Sequence, residues 1–251
     1  MARCGPAKSA VDYDTERIFP TTAQAARSLP IAPSDYCLFL ESRALKTSAV
    51  TRICFVRHGE TDWNIERRMQ GHIDLPLNAR GEAQARALGQ FFTGFQADAL
   101  YSSDLLRARQ TAQPIADALR RPMNVLTALR EQHFGRCEGK VFAEIERTHP
   151  GDAQALLSRD PDYVTPGGGE SRRQHEKRIL DCIDRLVGEH SGQTLVVVTH
   201  GGVLDVIYRR VHGLPSDAPR DYPISNAGLN RVSIEGNRWT IESWGETAHL
   251  S

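Results

Sequence analysis

Two histidines stand close behind apolar runs: His58, in the string RHGET, follows Ile53-Cys54-Phe55-Val56, and His200, in THGG, follows Leu195-Val196-Val197-Val198. A neutral imidazole can attack phosphorus and form a phosphohistidine, dividing one slow displacement into two easier ones. Phosphoryl transfer also asks for cations on the equatorial oxygens and an acid for the leaving oxygen. Arg57 precedes His58, and Arg107 lies in SSDLLRARQTA. Guanidinium forks match phosphate oxygens with paired, charge-assisted hydrogen bonds. A helix opening at Gly201, beside His200, adds free N–H groups and the positive end of its dipole. Enzymes accelerate the hydrolysis of phosphate monoesters by up to about 10²¹-fold, so charged groups from several segments have to act together. The competing reading is a metal held by His58, His200 and a carboxylate, with His133 as a further candidate. It leaves two phosphate-matched arginines without a purpose, and no metal is expected.

The elements that must position these residues follow from the pattern. The two apolar runs, mostly β-branched, read as strands covered on both faces. If they are parallel in one sheet, His58 and His200 emerge together at its carboxyl edge, where open α/β sheets place their ligands. From Thr51 onward, short apolar runs alternate with helical periods, the rhythm of a layered α/β domain. Asn78 caps a helix with Ala85, Leu88 and Phe92 inward. The strand Ala99–Ser102 follows, and then Asp104 as N-cap of a helix striped by Ala108, Ala112, Ile115 and Leu119 and kinked at Pro114. A strand around 124–126 leads into an irregular excursion over 134–170. Ser171 and Gln174 form a capping box for a long helix carrying Ile179, Cys182, Ile183, Leu186 and Val187. A buried helix starts at Gly201-Gly202, and strands near 229–234 and 239–243 complete the chain.

Composition narrows the classes. The chain has 251 residues, enough for the core of one full-sized domain, and its 31 basic residues balance 31 acidic ones. That balance gives no overall field for nucleic acid or an anionic membrane surface. No apolar stretch approaches the roughly 20 residues of a membrane helix. Cys4, Cys37, Cys54, Cys137 and Cys182 are odd in number and scattered, which argues against a disulfide framework and for a reducing cytoplasm. Cys54 and Cys182 fall on apolar faces as small buried hydrophobes. Residues 1–48 show no sustained period and read as an N-terminal extension, with a docking arm or an upstream start codon as alternatives. Residues 49–251 form the domain.

The strings RHGETDWN, QGHIDLPLNARGEAQA, SSDLLRARQTA, LREQHFGRCEGK and THGG resemble those of the histidine phosphatase superfamily, in its phosphoglycerate mutase-like branch. The resemblance covers residues 52–244 and implies a three-layer α/β/α sandwich around a mostly parallel sheet. It makes His58 the phosphorylated nucleophile, gives Arg57, Arg107 and His200 the transferring phosphoryl group, and makes Glu131 the general acid and base. Asn64 is implied to touch the phosphate, with Thr61, Gln70, Gly71 and Gly201 lining the pocket, and no cofactor is implied. Glu131 must hold a proton for part of the cycle, which calls for burial or a like-charged neighbour such as Glu60 or Asp62. His72, His149, His175, His190, His212 and His249 are expected at the surface or in local hydrogen bonds.

Within this branch, hydrolysis is favoured over mutase chemistry. Mutases resemble one another in a long basic insertion after the glutamate motif, whereas the stretch 134–170 is short. Its acids Glu138, Glu144, Glu146, Asp152, Asp160 and Asp162 outnumber Arg136, Lys140, Arg147 and Arg159. The expected substrate is a small phosphorylated metabolite, with a cofactor-dependent mutase and a non-catalytic phosphate-binding relative as alternatives. Arg67 and Arg68 either hold a substrate carboxylate or face solvent, and solvent is the expectation. The chain is expected to be a monomer or a dimer.

Overall fold

The computed structural model describes residues 49–251. The expectations for Cys4, Cys37 and the N-terminal extension lie outside the described residues. The elements in chain order are β1 (Thr51–Arg57), α1 (Asp62–Ile65), α2 (Ala79–Phe91), β2 (Ala99–Ser102), α3 (Leu106–Leu119), β3 (Met123–Val125), α4 (Phe142–Thr148), α5 (Pro150–Ser158), α6 (Arg172–Glu189), β4 (Thr194–Thr199), α7 (Gly201–His212), β5 (Leu229–Glu235) and β6 (Arg238–Glu246).

One six-stranded sheet runs in the order β3-β2-β4-β1-β5-β6. The first four of these are mutually parallel, and β5 and β6 add an antiparallel edge. Alternate residues of the central strands supply two separate cores. Ile53, Phe55, Leu195 and Val197 pack with Ile179, Ile183 and Leu186 of α6 and Val203, Leu204 and Ile207 of α7. Cys54, Val56, Val196 and Val198 pack with Leu88 of α2 and Ala108, Ala112 and Ile115 of α3. Helices therefore cover both faces, giving the three-layer α/β/α sandwich expected. Burial pushes the Cys54 thiol up to about 12, as suits a small apolar filler.

Most element expectations agree with this architecture. Asn78 accepts the Gly81 N–H at 2.8 Å as the cap of α2, and Ser171 and Gln174 close the capping box of α6. Two differ. Asp104 does not cap α3: Leu105 is the N-cap, without a side-chain bond, because the Asp104 carboxylate is bound by Arg130. The stretch 134–170 is not merely irregular, since it contains α4 and α5, too short to show a helical period. These helices enclose a small core of Cys137, Ile145 and Ala153, with Met69, Phe134, Phe142 and Leu156 packed on it. α3 continues through Pro114, which packs on Gly89 of α2. No helix of the described residues is long and apolar enough to cross a membrane.

Candidate active site

In the parallel register of β1 and β4, Arg57 stands opposite Thr199. The next residues, His58 and His200, leave adjacent strands side by side, with ring centroids 5.2 Å apart. Both are buried. The Gly59 carbonyl lies 2.7 Å from His58 Nδ1 and can only accept, so Nδ1 carries the proton and Nε2 keeps its lone pair. Burial, and then Arg107 and Arg57, hold the His58 pKa well below the ordinary histidine value. The ring is neutral at physiological pH, as a nucleophile must be. His200 is pushed down in the same way, first by burial and then by Arg107. Its Nε2 meets Ser103 Oγ at 2.8 Å, while Nδ1 is buried without a partner among the described residues.

Two guanidiniums close the site. Arg107, in the first turn of α3 and fully buried, donates to the Gly71 carbonyl at 2.8 Å and the Ile73 carbonyl at 2.9 Å. Arg57 donates to the Ile224 carbonyl at 2.6 Å. In both, Nε is buried and unpartnered among the described residues. Burial lowers each pKa to about 10, which still leaves both charged at neutral pH. Neither has a carboxylate within ion-pair distance among the described residues, so each is a desolvated cation held in place by neutral carbonyls. Such an arrangement fits an incoming anion.

Glu131 reaches the same place from the segment after β3. Its Oε2 accepts the Gly202 N–H and its Oε1 the Gln132 N–H, each at 2.9 Å. A Cβ on Gly202 would stand 2.0 Å from Glu131 Oε1, so only glycine leaves room for this carboxylate. The like-charged neighbours anticipated for Glu131 are absent: Glu60 faces Asn78 and Arg80, and Asp62 is exposed on α1. The charged neighbours that act on Glu131 are instead the guanidiniums of Arg57 and Arg107.

Thr61 and Asn64 interlock in a capping box at α1. Asn64 Oδ1 accepts from Thr61 N–H at 3.0 Å, Thr61 Oγ1 at 3.1 Å and Asn226 Nδ2 at 3.2 Å, leaving the Asn64 amide nitrogen as a donor. Gln70 is buried with Oε1 unpartnered among the described residues. Gly71, at φ +49°, lies where a Cβ would meet the Glu138 carboxylate at 1.9 Å, and its carbonyl holds Arg107. Gly201 opens α7 next to Arg57 and Glu131. The structure thus brings all the anticipated residues to one end of the sheet, with Thr61 supporting Asn64.

Several participants escaped the sequence reading. Ser103 follows β2 as His58 and His200 follow their strands, so the same strand-end rule points to it. Asn226 donates to the His58 carbonyl at 3.0 Å from a loop with no pattern. Arg178 of α6 pairs with Glu170 at 2.7 Å and donates to the carbonyls of Ala128 at 2.8 Å and Arg130 at 3.1 Å, anchoring the Glu131 segment. His72, expected at the surface or in a local hydrogen bond, instead donates across the chain to the Glu131 carbonyl at 2.9 Å. His175 is likewise not a surface residue: it is buried beside Gly202, and burial brings its pKa down to about 4.

A cavity of about 560 Å³ extends from Arg57, Glu131, Gly201 and Gly202 beneath Phe134, Phe142 and Leu156 of the excursion. The anticipated acidic character of this cap does not reach it, because none of its six acids lines the cavity. Glu138 accepts the N–H groups of His72 and Phe134, Asp152 is bound by Arg136 and Tyr163, and Asp162 by Arg173. The basic lining comes instead from Arg159, Arg172 and Arg220. Arg68 pairs with Glu66 and the Gly139 carbonyl, and Arg67 is exposed, away from the substrate role weighed for them.

The model of the histidine phosphatase superfamily (branch 1) matches residues 53–247. A phosphoglycerate mutase-like protein 4 of Arabidopsis thaliana is 41% identical over 202 residues, covering 79% of this chain and 86% of the relative. A metal-independent phosphoserine phosphatase of the same plant is 38% identical over 206 residues, covering 81% and 85%. The solved structure of a mycobacterial glucosyl-3-phosphoglycerate phosphatase superposes with a TM-score of 0.69 at 31% identity, covering 78% of this chain and 99% of that one.

Proposed function

This chain belongs to the histidine phosphatase superfamily and is a phosphatase, and from that premise we propose that it hydrolyses monoesters of small phosphorylated metabolites through a phosphohistidine on His58. One observation carries the reading: the neutral His58 presents the Nε2 lone pair beside two buried guanidiniums with no carboxylate in ion-pair distance among the described residues. In the first half-reaction, Nε2 bonds to phosphorus as the ester P–O bond breaks, and the Glu131 carboxyl gives its proton to the leaving oxygen. Arg57, Arg107, Asn64 and His200 hold the equatorial oxygens as charge builds on them. In the second, Glu131 takes a proton from water, the new oxygen bonds to phosphorus, and the P–N bond returns its pair to His58. Thr61, Gln70, Gly71 and Gly201 shape the floor.

Hydrolysis rather than mutase chemistry rests on the short cap and the phosphatase names among the relatives, not on acidity at the pocket. The mutase-like relative keeps transfer to a second hydroxyl as a second reading. Incubation with 3-phosphoglycerate, with and without bisphosphoglycerate, separates the two: phosphate release should outrun isomer formation, and the reverse overturns hydrolysis. Quenching the enzyme with a ³²P-labelled ester should trap acid-labile label. His58→Ala should lose both the label and about 10⁴–10⁶-fold in rate. Label retained by His58→Ala removes the phosphohistidine.

A further inference from the structure

Arg172 and Arg220 are two cations of the cavity that the phosphoryl chemistry does not use. Arg172 is the first residue of α6, half-buried, and its side chain makes no hydrogen bond or ion pair among the described residues. A cation at this position opposes the positive end of its own helix dipole, and α6 has no acid in its first turn to offset it. Glu176, one turn on, borders a neighbouring pocket with Arg172, and Glu131 lines the same cavity, neither in ion-pair distance. The charges acting most strongly on Arg172 are Arg159, Arg209, Arg220 and one acid, Asp205. That acid is already engaged, by Arg159 at 2.8 Å, Arg209 at 3.0 Å and the Tyr222 hydroxyl at 2.6 Å. Arg209 is spent on the carbonyls of Pro215 at 2.6 Å and Ala218 at 2.8 Å. Arg220 is exposed and also unpaired among the described residues. Burial first, and then these neighbouring cations, lower the Arg172 pKa to about 10, which still leaves it charged at neutral pH. Local positive charge left over in a concave, partly apolar wall focuses anions.

Resting on the phosphomonoesterase reading and deepening it, we propose that the leaving group carries an anion of its own, a carboxylate or a second phosphate, bound by Arg172 and Arg220 along the wall of Phe134, Phe142 and Leu156. Such a substrate is anchored at both ends, the transferring phosphate at Arg57 and Arg107 and the second anion at α6. The distance between the two sets then selects its length.

The full chain should be assayed with a series of ω-carboxyalkyl monophosphates against n-alkyl monophosphates of the same length, with α,ω-alkanediol bisphosphates as a parallel arm. At one chain length, kcat/KM for a doubly anionic ester should exceed that of its alkyl partner by about tenfold or more, since charge-assisted pairs on guanidinium are strong. Whichever arm gives the larger ratio identifies the anion as carboxylate or phosphate. The ratio should fall toward one in Arg172→Gln and in the exposed Arg220→Gln. It should persist in Arg173→Gln, whose side chain is bound to Asp162 at 2.6 Å. A wild-type ratio near one at every length, or a ratio that both variants retain, overturns the second anion site while leaving the phosphatase standing. Failure to release phosphate from any member overturns the phosphomonoesterase reading itself.

Discussion

The phosphate floor and the cap over it are built by opposite means. At the floor, Arg57 and Arg107 are buried cations held by the carbonyls of Ile224, Gly71 and Ile73, with no carboxylate in ion-pair distance among the described residues. In the cap, charges are matched: Arg136 with Asp152, Arg173 with Asp162, Arg178 with Glu170. A site that must receive an anion keeps its cations out of ion pairs, whereas carboxylates of the segment folded over it are paired, one within the segment and two with arginines of α6. The same fold therefore separates the chemistry from the shape of the leaving-group wall, and the arginines that break the pattern on the cap side, Arg172 and Arg220, are the ones that select a substrate.

The contrast can be broken first at Glu131, which joins the two regions. Glu131→Gln should lower kcat about 10²–10⁴-fold with alkyl phosphates. The loss of phosphorylation rate should be much smaller with p-nitrophenyl phosphate, whose leaving group needs no proton. Equal losses on both would assign Glu131 to structure. Next in size is the pair Gly202→Ala and Gly201→Ala. A Cβ at Gly202 displaces the carboxylate, whereas at Gly201 the nearest atom would be 3.6 Å away in ordinary contact. The first should cost about 10–100-fold in kcat, as misplacing a catalytic group by an ångström does, and the second only a few-fold.

A smaller effect concerns stability. The folded-state pKa of His175, about 4, lies below its unfolded value of 6.5, so the unfolded chain takes up the proton first and stability is lost as pH falls from 6.5 through 4. His58 and His200, both lowered, act in the same direction. Urea unfolding at pH 7 and pH 4 should show His175→Gln losing about 3 kcal/mol less than the wild type over that interval. Parallel curves would place the acid sensitivity elsewhere. Last, Asp152→Asn removes the charge that Arg136 and Tyr163 share in the cap. Limited proteolysis within 134–170 should quicken while kcat on small alkyl phosphates shifts by less than about twofold. A large fall in kcat would mean that cap and floor are not separable.

The sequence by itself determined the sheet, the helices that cover it and the meeting of His58 and His200 at one edge. Ile53–Val56 and Leu195–Val198 read as doubly covered strands, and a residue just past a central parallel strand has one place to go, the carboxyl edge. His58, His200 and, by the same rule, Ser103 are local consequences of where strands end. Tertiary structure alone decided what lies across the chain from them. Asp104 looked like a helix cap until Arg130 claimed it, and His175 and His72 had no partner pattern because their partners are Gly202 and the Glu131 carbonyl. Composition counted the cap as acidic, yet Arg136 and Arg173 take up Asp152 and Asp162, and none of the six cap acids lines the cavity, whose basic wall is Arg159, Arg172 and Arg220. Periodicity and strand ends are short-range properties that a chain displays along its length, whereas the balance of charge at a point depends on which segments the fold brings there.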